Sequence, residues 1–178
     1  MLEIHRKTRL LRPGLAVVEC GAAPGAWTQV AASRLGPKGL VISCDLLDME
    51  PVPGALVIPR SDFTAHSTQE RILAALGERR LELVLSDMCP ELSGSAQLDH
   101  DSITNLVYSV LKFTIRTAAP GASMLVKSFY GSNHRKTLQD LDKCFSNVRT
   151  FKPKSSRAES AEIFIFAQDL KPLKASQQ

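Results

Sequence analysis

Several apolar runs of this chain end in polar residues whose types suit the binding of a charged nucleoside. "LAVVEC" (15–20) carries Glu19 and opens directly into "GAAPGAW" (21–27). "GLVISCD" (39–45) ends in Asp45, "LELVLSD" (81–87) ends in Asp87, and "SMLVKSF" (123–129) holds Lys127 among apolar neighbours. Lysine is almost never fully buried without a partner, so Lys127 calls for a carboxylate or a reacting group beside it. Asp45 lies 24 positions after Gly21 (21 to 45). A carboxylate at that spacing from a glycine turn can accept hydrogen bonds from both hydroxyls of a ribose.

The glycine turn itself narrows the ligand. A dinucleotide site wants G-x-G-x-x-G, whereas here the glycines stand at 21 and 25 with Pro24 between them. Proline removes one amide donor and stiffens the turn. A pyrophosphate cradle needs such donors, so the loop suits a nucleoside without phosphates, and an adenosine carrying a sulfonium, S-adenosylmethionine, fits. Its carboxylate could use the helix N-terminus that begins near Pro24. The plain alternative is a tight structural turn. A nicotinamide-dependent dehydrogenase is disfavoured by the same spacing.

The elements that must position these residues alternate along the chain. The four runs above and "ALVIP" (55–59) have the composition of buried strands. Helical stripes lie between them: Trp27, Val30, Ala31 and Leu35; Ile103 to Ile115, stopped by "APG" at 119–121; and Leu138, Leu141 and Phe145. "VRTFK" (148–152) and "EIFIFA" (162–167) have no helix between them and read as a hairpin adding an antiparallel edge. The expected fold is a doubly wound α/β domain: a Rossmann-like, mostly parallel seven-stranded sheet with an antiparallel C-terminal strand and helices on both faces. One domain is expected over 1–168, with a disordered tail over 169–178.

Composition sets bounds around this. The 178 residues suit one well-buried core. Lys and Arg number 22 against 18 Asp and Glu, a mild bias towards polyanions. The four cysteines include no C-x-x-C pair and the four histidines are scattered, so neither a disulfide framework nor a metal site is expected. No apolar run approaches the roughly 20 residues of a membrane span, and no signal peptide is read at the start.

"CGAAPGAWTQVA", "CDLL", "SDMCP", "APGASMLVKSF" and "KPKSSRAESAEIFIFA" together resemble the FtsJ (RrmJ) family of ribosomal RNA 2'-O-ribose methyltransferases, in order and over about residues 2 to 167. "LDHDSI" and "GAAPGAW" are closest to the mitochondrial branch, which acts on a uridine ribose of the large ribosomal RNA. The resemblance implies an S-adenosylmethionine-dependent fold and a Lys-Asp-Lys-Glu tetrad around the target 2'-hydroxyl. Asp87, Lys127 and Glu162 match its last three members. A ribose hydroxyl is a poor nucleophile until its proton leaves, and the developing alkoxide needs a cation. Lys127 is therefore expected to act as base or alkoxide stabiliser, with Asp87 orienting it and bordering the methionine moiety. Glu162 completes the network; by alternation alone it would be the exposed face of a strand. The cofactor set is Gly21, Pro24, Gly25, Ala26, Trp27, Asp45, Asp62 and Asp87. Asp62 is carried over as the partner of the adenine amino group, although "PRSDF" also reads as a turn, and Trp27 fits a helical core position equally well.

Two departures accompany the resemblance. The first tetrad lysine falls immediately ahead of Met1, so the expectation is an N-terminally shortened enzyme whose activity depends on residues upstream. "SDMCPE" places Glu91 where many relatives have a neutral amide. Arg135, Lys152, Lys154 and Arg157 are candidate phosphate contacts for RNA. The expected partner is large-subunit ribosomal RNA or a pre-ribosomal particle, without metal or membrane span, in the mitochondrion, or otherwise the cytoplasm or nucleus. The competing reading is a catalytically impaired RNA-binding assembly factor on the same fold.

Overall fold

A computed structural model describes residues 1–154 and 160–172. The elements run α1 (Leu2–Thr8), β1 (Ala16–Cys20), α2 (Ala26–Leu35), β2 (Leu40–Cys44), β3 (Leu56–Ile58), α3 (His66–Leu76), β4 (Leu81–Ser86), α4 (Ala96–Thr117), β5 (Ala118–Phe129), α5 (His134–Cys144), β6 (Phe145–Phe151) and β7 (Glu162–Leu170). The described strands form one sheet in the order β3-β2-β1-β4-β5-β7-β6. β1, β2, β3, β4 and β5 pair in parallel, while β7 is antiparallel to both β5 and β6. The expected mixed sheet is thus the observed one, with β7 inserted between β5 and β6.

Strand side chains alternate between faces, and here each face has its own apolar layer. Ala16, Val18, Ile42, Met124 and Val126 pack with Ile72 of α3, Val107 and Phe113 of α4 and Leu141 of α5. Val17, Val41, Leu85, Leu125 and Phe166 pack with Ile4 of α1 and Ala31 and Leu35 of α2. Strands buried on both faces explain the unbroken apolar runs.

Three features differ from expectation. α3 turns Thr68, Gln69, Ile72 and Leu76 to the core, and two polar side chains on the buried face blur the apolar period. β5 begins at Ala118, directly after α4. Between the pairs Leu81–Ala118 and Leu83–Ser123 the register shifts, so a bulge absorbs Pro120, which has no N–H to give a ladder. β7 runs on to Leu170, which is buried opposite Phe145, so the boundary expected at 168 falls inside a strand. Of the expected tail, 173–178 lie outside the described residues. No described helix is long and apolar enough to cross a membrane.

Candidate active site

The alternation that buries Leu83 and Leu85, Leu125, and Phe164 and Phe166 against α1 and α2 carries three charged residues onto the same face. Asp87 lies just past β4, its N–H bonded to the Cys20 carbonyl at 3.0 Å. Lys127 of β5 stands opposite Phe164, and Glu162 stands opposite Phe129 two positions away. Lys127 Nζ lies 2.9 Å from Asp87 Oδ1 and 3.6 Å from Glu162 Oε2. The lysine side chain is 12% exposed, against 32% and 31% for its partners.

Burial draws the Lys127 ammonium down, but the Asp87 and Glu162 carboxylates outweigh it and hold its pKa above the ordinary value. Burial raises the Asp87 carboxyl, with Lys127 only partly offsetting it. The N-terminal end of α1 reaches the same corner. Burial lowers the Met1 amino group, although Asp87, Glu3 and Glu162 pull it the other way.

A cleft of about 780 Å³ opens beside this group at the carboxyl ends of the parallel strands, where ligands sit in open α/β sheets. Gly21, Asp45, Asp62, Asp87 and Lys127 all line it. Gly21 adopts φ 72°, and a Cβ there would stand 2.6 Å from the Met88 backbone nitrogen, so only glycine fits between the β1 and β4 loops. Asp45 accepts the Ala23 N–H at 2.8 Å through one oxygen and the Leu47 N–H at 2.8 Å through the other. Asp62 accepts the Thr64 N–H and hydroxyl at 2.8 and 2.7 Å. A carboxylate has about four lone-pair sites, so each retains capacity for further donors.

Beneath the loop, fully buried Glu19 accepts the Thr28 hydroxyl at 2.7 Å and the Ser43 hydroxyl at 2.9 Å, both through Oε2. Its Oε1 is buried without a hydrogen bond. Burial pushes the Glu19 carboxyl up to about 7, and the two hydroxyls only partly counter it.

The remaining candidates fall elsewhere. Gly25 caps α2 with φ 107°, and exposed Pro24 and Ala26 flank it. Trp27 packs its ring on Phe164, 5.4 Å between centroids. Those four and Glu162 do not border the cleft. Arg135 is exposed, Lys152 Nζ donates to the Ser160 carbonyl at 2.9 Å, and the Lys154 N–H donates to Glu3 at 2.9 Å. Arg157 lies outside the described residues. Sequence reasoning missed Leu46, Phe63, Ser102 and Asn105, which also line the cleft. They come from loops and from α4, where no periodicity flags a wall. Among the described residues no group of three or more His, Cys, Asp or Glu could hold a metal ion.

The profile of the FtsJ-like methyltransferase family matches residues 1–170. The chain is 43% identical over 179 aligned residues to "rRNA methyltransferase 2, mitochondrial" of Drosophila melanogaster, covering 96% of this chain and 72% of that protein. It is 44% identical to the "Ribosomal RNA large subunit methyltransferase E" of Alkalilimnicola ehrlichii, covering 94% and 80%. The solved structure of a Plasmodium falciparum protein assigned as a ribosomal RNA methyltransferase superposes with a TM-score of 0.85 at 24% identity, covering 95% and 93%, a likeness that bears on the fold. With the profile spanning nearly all of the chain, this protein belongs to the FtsJ-like methyltransferase family.

Proposed function

We propose that this chain methylates a 2'-hydroxyl, that of a uridine, in large-subunit ribosomal RNA, using S-adenosylmethionine, in the mitochondrion. The observation that carries this is the Asp87–Lys127 pair lining a cleft that fits a charged nucleoside, with Glu162 held against Lys127 behind it. Gly21 gives backbone access, Asp45 suits the ribose hydroxyls, and Asp62 suits an adenine edge. Asp87 faces both the cleft and Lys127, so it also suits a cationic centre. When bound, the cofactor supplies an electrophilic methyl on sulfur.

In this reading Asp45, Asp62 and Asp87 would hold the cofactor, and the methyl it would supply would go to a 2'-oxygen positioned beside Lys127. Lys127 is held protonated by its two carboxylates, so of base and alkoxide stabiliser the second role is the one supported. Its ammonium meets the charge that grows on oxygen. The hydroxyl proton passes to the Asp87 carboxyl beside the lysine, which burial raises. Arg135, Lys152 and Lys154 are the basic residues offered to phosphates.

The test is methyl transfer from labelled S-adenosylmethionine to deproteinised large-subunit RNA and to the pre-ribosomal particle, with 2'-O-methyl mapped by resistance to alkali. Lys127→Ala is expected to lose about 100- to 1,000-fold in rate while calorimetry shows unchanged cofactor affinity. A variant that keeps its turnover sinks the assignment. Tight binding of both ligands with no transfer by the native chain would identify an RNA-binding assembly factor instead.

A further inference from the structure

We infer that Tyr130, seated on His134, is a stacking platform for a base of the RNA strand that enters the site; this rests on the RNA-methylating reading above. Large aromatic side chains elsewhere in the fold are covered. Phe63, Phe113, Phe145, Phe164 and Phe166 are buried, and Tyr108 is half-buried with its hydroxyl on Asp140 Oδ2 at 2.7 Å. Tyr130 is 68% exposed. Its ring leans on the His134 imidazole, 5.1 Å between centroids at 43°, with most of its surface left to solvent.

This ring is held in place. The Tyr130 N–H donates to the Ala161 carbonyl at 2.8 Å, which fixes the backbone one residue from Glu162. The next residue, Gly131, lies so close to His100 that a Cβ would stand 2.2 Å from its imidazole. Asn133 Nδ2 donates to Asp101 Oδ1 at 2.6 Å, tying the loop to α4. An exposed aromatic fixed on both sides loses little freedom when a flat partner covers it.

Its position matches a nucleic-acid strand. Tyr130 follows Lys127 by three residues, about 10 Å of extended chain, a reach that suits the base of a nucleotide flanking the one whose hydroxyl meets Lys127. Arg135 and Lys136 are exposed in the first turn of α5, immediately after His134, where they suit the phosphates of the same strand. Single-stranded RNA is commonly held in this way, with bases on aromatic rings and phosphates on adjacent cations.

The experiment uses the full chain and a short single-stranded RNA bearing 2-aminopurine, whose fluorescence falls on stacking, alongside single-turnover methylation of large-subunit RNA. Tyr130→Ala is expected to weaken RNA binding about 10- to 100-fold and abolish the quenching. Its cofactor affinity, thermal midpoint and salt slope should match the native chain. Tyr130→Phe should behave as native in every readout, while Arg135→Ala with Lys136→Ala should lower the salt slope. Native-like binding and quenching by Tyr130→Ala overturns the platform and leaves the methyltransferase reading intact. Loss in Tyr130→Phe equal to that in Tyr130→Ala also overturns it, because a hydroxyl and not a ring would then matter. If the native chain neither binds RNA nor transfers methyl, the functional reading fails and the platform falls with it.

Discussion

Glu19→Gln is expected to remove the pH dependence of stability contributed by the core beneath the glycine loop. The Glu19 carboxyl is fully buried, and its pKa rises from 4.5 to about 7 chiefly because burial penalises the charged form. Between those values the folded chain holds a proton that the unfolded chain has released. Stability from this group is therefore fully present near pH 4.5 and is lost as pH rises through 7. At about 1.4 kcal/mol per pH unit the loss integrates to about 3 kcal/mol. Glutamine mimics the protonated form, since its carbonyl can accept the Thr28 and Ser43 hydroxyls that Oε2 accepts now. Its amide then occupies the place of Oε1, which has no hydrogen-bond partner as it stands.

The assay is urea unfolding of both chains at pH 5, 6, 7 and 8, because every other titrating group cancels in the difference. Near pH 5 the two should agree to within about 1 kcal/mol, the usual cost of one imperfect hydrogen bond. By pH 8 the glutamine variant should be the more stable by about 3 kcal/mol, a midpoint shift of about 1 to 3 M at ordinary urea slopes. Parallel pH profiles would refute the reasoning, because Glu19 would then titrate alike in both states.

Two further outcomes follow from the site. Asp45→Ala should weaken S-adenosylmethionine binding by about 1–3 kcal/mol, since the Ala23 and Leu47 amides it fixes lose their acceptor along with the ribose; unchanged calorimetric affinity in a folded variant would remove Asp45 from the site. A lysine added ahead of Met1 should raise the single-turnover rate about 10- to 100-fold over alanine at the same place, because the Met1 end of α1 reaches the Asp87–Glu162 corner; equal rates would discard the first member of the tetrad.

How much of this was legible in the sequence depends on the element. Strands buried on both faces announce themselves, because Val17 and Val18, or Leu125 and Val126, must both be apolar to satisfy two layers. The polar residues that end such strands were legible for the same reason, since Asp45, Asp87 and Lys127 break runs that have no other cause to stop. Glu162 was legible only through resemblance, because alternation alone gives it the look of a solvated strand position. α3 was hidden by Thr68 and Gln69 on its buried side; Gln69 donates to the Phe63 carbonyl at 3.0 Å, a contact no period encodes. The α4 wall of the cleft was hidden because its position follows from how far β5 carries the chain back. Tyr130 was equally silent, since exposure is a property of the fold and not of the residue.

The charge balance of the cleft argues for the kind of ligand it receives. Burying an ion pair costs more than apolar packing of the same volume, so Asp87 and Lys127 are a poor device for stability alone. Asp87 and Asp45 both push the Glu19 carboxyl up, and Glu162 pushes up Asp87, so the carboxylates at this end of the sheet repel one another. Among the described residues Lys127 is the one lysine or arginine lining the cleft, against Asp45, Asp62, Asp87 and Glu91. A phosphate-bearing dinucleotide would meet that field with its own negative charge, and the proline of the turn withholds an amide it would need. A sulfonium nucleoside relieves the field instead of adding to it. In the proposed reaction the same excess of carboxylate keeps Lys127 charged while an alkoxide forms beside it. In that proposed reaction, binding of the cation and stabilisation of the anion thus draw on one group of residues, gathered on one face of the sheet by the alternation of three neighbouring strands.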